Sequence, residues 1–339
     1  MQAYQLEAFG LDHLRRTDSA VPPPGPGEVA VDVDALSLNY RDLMVIKGLY
    51  NPKLRLPAVP VSDGAGVVSA VGAGVTRVRV GDRVASHFVS GWIDGPFRQA
   101  YLATTLGTPA TGLAAERVIL PAEAVVPWPA GYSAAEAATL PIAALTAWSA
   151  LVTVGDVRPG QTVLTLGTGG VAIWTLQLAK AMGARVIITS SRDDKLERCR
   201  ALGADVTINY TREPEWDAAV LEQTSGEGAD LTVETAGPGT LDRSLKATRA
   251  GGTVALLGAL TGRQGTVTTG LILMKRLRVC GIMVDSRAAF EAMNRFIAEK
   301  RIRPVIDRTF PFDRLVDALR CLEAGEHFGK IVVHVREDG

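Results

Sequence analysis

The sequence predicts an α/β protein, a doubly wound parallel sheet joined to a β-rich domain. Three observations predict it. From Thr162 onward, short β-branched runs alternate with helical patterns, as parallel strands linked by crossover helices require. Ahead of them, strand-like runs are separated by proline and glycine, the punctuation of turns. With 339 residues the chain is also too long for one ordinary core. Domains are expected at 1–126, completed by 286–339, and at 127–285.

In the first domain, Glu28–Asp34, Gly66–Val71 and Arg83–Ser86 read as strands, and Pro22-Pro-Pro-Gly-Pro-Gly27 as a stiff turn into the first of them. From Ser133 the texture becomes alanine-rich helix. Thr162–Leu166 opens the parallel sheet, and Arg185–Thr189, Asp205–Ile208, Asp230–Thr235, Thr253–Leu257 and Leu277–Gly281 continue it. Helical patterns at Asp193–Leu202 and Thr240–Thr248 lie between these runs. After Ser286 come two amphipathic helices and a last strand, Lys330–Val335, expected to return to the first domain.

The most informative stretch joins the first parallel strand to its helix. Thr162–Leu166 ends in Gly167-x-Gly169-x-x-Ala172, and an apolar helical pattern follows without a break. In that strand–turn–helix context a glycine fingerprint marks a dinucleotide site. Gly167 permits the tight turn, and Gly169 lets backbone N–H groups, with those of Gly170 and Val171, approach a pyrophosphate. Ala172 is small enough for the helix to pack close to the strand. The helix N-terminus then favours negative charge through its unpaired N–H groups and its dipole.

The tip of the second strand speaks to the choice of coenzyme. A site for NAD carries an acid about 20 residues past the fingerprint, for the ribose 2′-hydroxyl. This chain has Ser190-Ser191-Arg192 there. Two hydroxyls and a guanidinium hold a phosphate through charge-assisted hydrogen bonds, and Lys195 follows one helical turn later. Either Asp193 or Asp194 can turn back toward the ribose, yet both read as first-turn acids of the next helix, where they complement its dipole. NADP(H) is therefore expected.

Composition excludes other classes of function. Lysine and arginine number 36, as do aspartate and glutamate, so nothing points to nucleic acid or an anionic membrane. Met1-Gln-Ala-Tyr-Gln-Leu-Glu7 has neither the basic nor the apolar segment of a signal peptide, and no apolar run approaches a membrane span. Cys199, Cys280 and Cys321 are far apart and odd in number, which reads as buried thiols in a cytoplasmic protein. His13, His87, His327 and His334 show no ligand spacing. His87 reads as a hydrogen-bonded side chain.

With these residues assembled, the chain resembles the medium-chain dehydrogenase/reductases, and within them the zinc-free, quinone oxidoreductase-like branch. The resemblance rests on Asn39-Tyr-Arg-Asp42, Lys47-Gly-Leu-Tyr50, Asp63-Gly-Ala-Gly-Val-Val68, Val80-Gly-Asp-Arg-Val84, Leu140-Pro141 with Leu145-Thr-Ala-Trp148, the fingerprint, Leu202-Gly-Ala-Asp205 with Asn209-Tyr210, and Gly329-Lys-Ile-Val-Val333. It implies a GroES-like β domain interrupted by a Rossmann domain, with the active site in the cleft between them. It also implies that Thr146 lies beside the nicotinamide amide and that Tyr210 and Lys195 meet the 2′-phosphate. Gly258-Ala259-Leu260 and Ile282-Met283-Val284 follow strand ends, the ligand-binding edge of such sheets, and are expected to flank the nicotinamide. Lys330 reads either as a cation for a coenzyme phosphate or as a solvated strand-end charge.

Metal-dependent relatives hold zinc with cysteine and histidine. At the matching places this chain has Asn39, Val61-Ser62-Asp63 and Ile142, and Val84–Val126 contains no cysteine. An amide, a hydroxyl and an alkane do not make a zinc site, so no metal is expected. Hydride addition to a quinone or an enone suits such a site, because the charge spreads over a phenolate or enolate that ordinary donors stabilise. Asn39 and Tyr50, and less so Arg41, are the expected donors. Each has a structural alternative: a loop tie, a wall residue, an ion pair. Asp63 is read as a support for its loop.

The leading expectation is thus an NADPH-dependent reductase of quinones or α,β-unsaturated carbonyls. The alternatives are a zinc-independent alcohol dehydrogenase and a non-catalytic NADPH-binding or redox-sensing protein. Ile173-Trp174 and the aromatic segment Gly91–Leu102 depart from the family pattern; the tryptophan reads as core or as a wall beside the coenzyme, the segment as a shaper of the substrate pocket or a surface lid. Leu277–Met283, an apolar edge strand, points to a homodimer.

Overall fold

The computed structural model describes residues 1–336. In chain order its strands begin with β1 (Gln2–Leu6), β2 (Leu14–Asp18), β3 (Glu28–Ser37), β4 (Asp63–Val71), β5 (Arg83–Ser86), β6 (Arg117–Pro121) and β7 (Val125–Pro127). The middle of the chain contributes β8 (Thr162–Leu166), β9 (Arg185–Ser190), β10 (Val206–Asn209), β11 (Ala229–Glu234), β12 (Thr248–Leu256) and β13 (Arg278–Gly281). β14 (Ile306–Pro311) and β15 (Lys330–His334) complete the set.

Packing divides the chain into two units. One is Met1–Leu145 with the described residues from Val284 onward, and the other is Thr146–Met283. The expected boundary at 126/127 therefore moves to 145/146. The reason lies in the alanine-rich helix Ala134–Ala138, which packs on β3, β4 and β5. Ser133 caps it, its hydroxyl accepting the Glu136 N–H while the Glu136 carboxylate accepts the Ser133 N–H, a reciprocal capping box.

In the first unit, strands run in the order β14-β15-β3-β4-β5-β7, with β6 also on β3. β15 runs antiparallel to β3, bringing Val332 opposite Ser37. That pairing carries the C-terminal strand to the end of β3, where the site residues begin. The aromatic segment is anchored in this unit: the Trp92 ring meets Phe97 edge-on at 5.1 Å and stacks on Tyr101 at 6.4 Å. The Trp92 carbonyl accepts the Arg287 N–H at 2.9 Å, at the start of helix Arg287–Lys300.

The second unit is a six-stranded parallel sheet in the order β10-β9-β8-β11-β12-β13, with helices Gly170–Ala181, Asp193–Ala201 and Pro238–Ala247 packed on it. Sequence order reverses between β8 and β11. A crevice outside the carboxyl ends of the strands is the ligand site of such sheets. Trp174 is 2 % exposed, so it is core packing in the fingerprint helix. Cys199 is buried, and burial pushes its thiol up to about 12. Cys280 and Cys321, expected to be buried, are partly exposed because they lie on an edge strand and on an outer helix.

His87 is fully buried, with Nε2 3.1 Å from the Trp92 carbonyl and Nδ1 without a partner. A carbonyl only accepts, so Nε2 carries the hydrogen and the ring is neutral. Burial, reinforced by the charges of Arg287 and Arg77, lowers its pKa from 6.5 to about 4. The unfolded chain therefore takes up this proton first. Stability is full above about pH 6.5 and drains as the pH falls toward 4, by ~3 kcal/mol for a shift of this size. Urea unfolding of the parent and His87→Gln at a series of pH values checks this; the variant is expected to lose that acid limb, and matching slopes would show that His87 does not set it.

Candidate active site

The residues expected to carry the chemistry fall into two groups, one in each unit. In the β-rich unit, helix Tyr40–Ile46 starts where β3 ends, and Asn39 is its N-cap in extended conformation. The Asn39 amide is a bridge. Its Nδ2 donates to Asp63 Oδ2 at 2.9 Å, and its Oδ1 accepts from Lys330 Nζ at 2.7 Å. Lys330 also donates to the Leu38 carbonyl at 2.7 Å. Asp63 Oδ2 accepts a second hydrogen bond from the Ile142 N–H at 3.2 Å, whereas Asp63 Oδ1 is buried without a partner. Asp42 accepts the Asn39 N–H on Oδ2, and the Ser62 N–H and hydroxyl on Oδ1.

Asp63, Asp42 and Lys330 are 0, 1 and 2 % exposed, so two carboxyls and an ammonium leave water together. Burial pushes the Asp63 carboxyl up to about 7, against the pull of Lys330. It raises Asp42 as well, and it lowers the Lys330 ammonium against the attraction of both carboxylates. Such a cluster survives only when each charge is paired and hydrogen-bonded.

Three expectations are corrected here. Asn39 is no free donor to a substrate, because both ends of its amide are engaged. Lys330 is neither a solvated charge nor a spare cation for a phosphate, because the β15–β3 pairing delivers its ammonium to Leu38 and Asn39. Arg41 is a clamp: its guanidinium lies 4.4 Å from the Tyr50 ring and 4.6 Å from that of Phe88, and donates to Ser62 Oγ at 2.5 Å, Leu106 O at 3.0 Å and Thr108 O at 2.9 Å. Tyr50, oriented by that stack, keeps a hydroxyl without a partner among the described residues. Tyr40 and Leu49 are exposed. Val61, buried at a φ of 71°, turns the chain into Ser62 and Asp63; for a β-branched residue that conformation costs ~1–3 kcal/mol. Nothing in the sequence signalled it.

In the second unit, Gly167 turns the chain at a φ of +76° and Gly169 caps helix Gly170–Ala181. A Cβ on either glycine would meet nothing within 4 Å, so the space before the helix is open. The first N–H groups of a helix lack intrahelical partners, and here those belong to Gly170, Val171 and Ala172, at the start of helix Gly170–Ala181. Ala172 is 2 % exposed, against the sheet.

At the tip of β9, the Ser190 hydroxyl accepts the Arg192 N–H at 3.4 Å and the Ser190 carbonyl accepts the Tyr210 N–H at 3.1 Å. Ser191 and Arg192 are exposed. Asp193 and Asp194 open the next helix as expected, and both also engage arginines: Asp194 pairs with Arg192, and Asp193 with Arg212. Lys195, expected to meet the 2′-phosphate, is 7 % exposed. Arg212 is the second exposed guanidinium at this tip; its place two residues past Tyr210 was the signal available.

The other strand ends are held by a residue that sequence reasoning passed over. The buried Glu234 accepts from the Ala236 and Gly237 N–H groups and the Thr240 hydroxyl on Oε1, at 2.8, 2.9 and 2.8 Å, and from the Ser244 hydroxyl on Oε2 at 2.5 Å. Thr235 Oγ1 donates to the Leu166 carbonyl at 2.7 Å, tying the end of β11 to that of β8. A Cβ on Gly258 would lie 1.7 Å from the Thr235 carbonyl oxygen, so only glycine passes there. Ala259, Ile282 and Met283 are half-buried, Leu260 is exposed, and Thr146 is buried in the turn Leu145–Trp148. Val284, expected beside the nicotinamide, is 3 % exposed and is counted in the first unit.

Residues 25–130 match the alcohol dehydrogenase GroES-like domain, and residues 170–299 the zinc-binding dehydrogenase family. A zinc-type alcohol dehydrogenase-like protein of Schizosaccharomyces pombe is 40 % identical over 336 residues, 97 % of each chain. An acryloyl-coenzyme A reductase of Sulfurisphaera tokodaii is 28 % identical, over 92 % of this chain and 93 % of that one. Among solved structures, one assigned as an alcohol dehydrogenase from Sinorhizobium meliloti 1021 superposes with a TM-score of 0.93 at 42 % identity, covering 98 % of each chain. A NAD-dependent alcohol dehydrogenase superposes with a TM-score of 0.90 at 37 % identity, covering 99 % of this chain and 100 % of the other.

Lys330 offers the direct probe of the buried cluster. Lys330→Met leaves two buried carboxyls without their cation and is expected to cost about 3–5 kcal/mol in a urea melt. Adding Asp63→Asn is expected to restore part of that loss. A single variant as stable as the parent would show that the ammonium is not needed.

Proposed function

Because this chain belongs to the medium-chain dehydrogenase/reductase family of zinc-type alcohol dehydrogenase-like proteins, it is an NAD(P)-dependent oxidoreductase, and we propose that it uses NADPH, without a metal, to reduce quinones or α,β-unsaturated carbonyls. The observation that carries this reading is the donor set. Asn39 is locked between Asp63 and Lys330, Ser62 between Arg41 and Asp42, and Ile142 offers an alkyl chain. None is a thiolate or an imidazole, and among the described residues no three of His, Cys, Asp and Glu converge as ligands. These residues do not fit a catalytic zinc.

The coenzyme supplies the hydride. The chain's own contribution is then to hold both reactants and to receive charge. In this reading the Tyr50 hydroxyl donates to the acceptor oxygen as charge develops on it. Tyr40, Leu49 and the Tyr50 ring offer apolar surface to a conjugated acceptor. Ser190, Ser191 and Arg192, with no acid at the ribose position, support NADPH over NADH. The acryloyl-coenzyme A reductase among the relatives is named for a conjugated substrate, which agrees with this reading. The relatives named alcohol dehydrogenases favour a second one, oxidation of unconjugated alcohols.

Coenzyme absorbance, followed with a quinone, an enone, a simple ketone and a simple alcohol, tests the pair. Turnover is expected with the conjugated acceptors and unchanged by a chelator. Tyr50→Phe, which keeps the ring on Arg41, is expected to lower kcat by about 100-fold. Turnover of unconjugated alcohols alone, or loss of activity to the chelator with recovery on added zinc, would overturn the proposal.

We also propose a homodimer through the second unit. β13 ends the parallel sheet with one edge unpaired among the described residues, and Leu273 and Met274 before it are 75 and 81 % exposed. A second copy pairing edge to edge would cover both. Sedimentation at micromolar concentration is expected to show a dimer, and Leu273→Asp with Met274→Asp a folded monomer; a monomeric parent sinks the idea.

A further inference from the structure

Arg192 is already occupied. Its Nε donates to Asp194 Oδ1 at 2.9 Å and its Nη2 to Asp194 Oδ2 at 2.7 Å, the parallel two-bond fork a guanidinium makes with a carboxylate. A phosphate monoester presents the same pair of oxygens to the same fork. The two acceptors therefore compete for one face of one side chain. Asp193 cannot take this part, because its carboxylate accepts from Asn209 Nδ2 at 2.6 Å and pairs with Arg212. Asp194 has no second side-chain partner among the described residues, only local N–H groups of Lys195 and its own backbone: its side chain is 62 % exposed, and the guanidinium beside it holds its carboxyl below the usual carboxylate range. It is thus an ionised, solvent-facing, replaceable partner.

We propose that Asp194 is a specificity-determining residue, an internal stand-in for the coenzyme 2′-phosphate that occupies Arg192 until NADPH displaces it. The inference rests on the reading of Arg192 as the 2′-phosphate ligand. NADPH binding then includes an exchange, in which the Arg192–Asp194 fork opens and an Arg192–phosphate fork forms. NADH has no phosphate to offer and leaves the pair closed. Asp194 therefore weakens NADPH without touching NADH, and it narrows the preference that Ser190, Ser191 and Arg192 would otherwise impose. The pair is half-exposed on both sides, at 52 and 62 %. Exposed pairs of this kind are weak, so the exchange is easy and the effect on affinity is about two- to fivefold.

Fluorescence titration of the full-length protein with NADPH and with NADH gives the ratio of their Kd values for the parent, Asp194→Asn, Arg192→Ala, the double variant, and Glu197→Gln. Glu197 pairs with Arg200 on the outer side of the same helix, so its variant removes an equal charge away from Arg192. Asp194→Asn is expected to tighten NADPH two- to fivefold and leave NADH unchanged. The gain is expected to vanish in the double variant, to shrink as salt is raised, and to be absent in Glu197→Gln. An unchanged ratio in Asp194→Asn, an equal gain in the double variant, or the same gain in Glu197→Gln would overturn the stand-in. Arg192→Ala decides the underlying reading separately. If NADPH binds equally well without that guanidinium, the 2′-phosphate assignment falls and takes the stand-in with it; if NADPH weakens while Asp194→Asn is silent, only the stand-in falls.

Discussion

A buried ammonium beside two buried carboxyls is the constraint on which the β-rich unit depends. Each of these groups, alone in an apolar interior, would be expelled or neutralised. Together they are held by the Asn39 amide, which faces the cation with its oxygen and a carboxylate with its nitrogen. Three separate pieces of chain meet at this point: the end of β3 with the helix behind it, the start of β4, and the first residue of β15. The Ile142 N–H adds a fourth. Removing a member would strand the charge of another, so the cluster dictates how these pieces sit together. Its members are absorbed by structure, with both ends of the Asn39 amide engaged inside the cluster.

The second unit solves a different problem. A coenzyme with several phosphates needs positive potential without a crowd of cations, and the carboxyl edge of a parallel sheet supplies it from backbone N–H groups. The edge must be both open and stiff. Gly167 and Gly169 leave it open, since even a Cβ on either would meet nothing within 4 Å. Glu234 keeps it stiff by gathering two N–H groups and two hydroxyls, so that the loops after β11 and β12 run close enough to demand glycine at 258. Acid thus serves in two ways in this unit: Glu234 orders a loop inside, and carboxylates such as Asp193 and Asp194 occupy arginines outside.

How much of this was legible depends on the distance over which the information is spread. The fingerprint, its strand and its helix lie in one contiguous stretch, and the structure follows the reading residue for residue over Thr162–Leu166. Strand β9, expected at Arg185–Thr189 and found at Arg185–Ser190, was legible for the same reason. Strands β1, β2, β6, β7 and β14 were not read. Arg117-Val-Ile-Leu-Pro121 ends in proline, and Ile306-Asp-Arg-Thr-Phe-Pro311 carries charge at its centre; such strands exist because a neighbour pairs with them. β12 begins at Thr248, five residues before its expected start, although Gly251-Gly252 reads as a turn. Pairing with β11 across a register shift carries it through.

The sequence alone determined the α/β class, the parallel order of strand and helix, and the glycine turn between the first parallel strand and its helix, because each follows from the local preferences of adjacent residues. It could not tell that Asn39 is spent on Asp63 and Lys330, the latter 291 positions away, nor that Arg41 is stacked and Arg192 already paired. Those are matters of which polar atoms remain unsatisfied once the chain has closed. Only the tertiary structure settles them, because a side chain's availability depends on its neighbours in space and not on its neighbours in the chain.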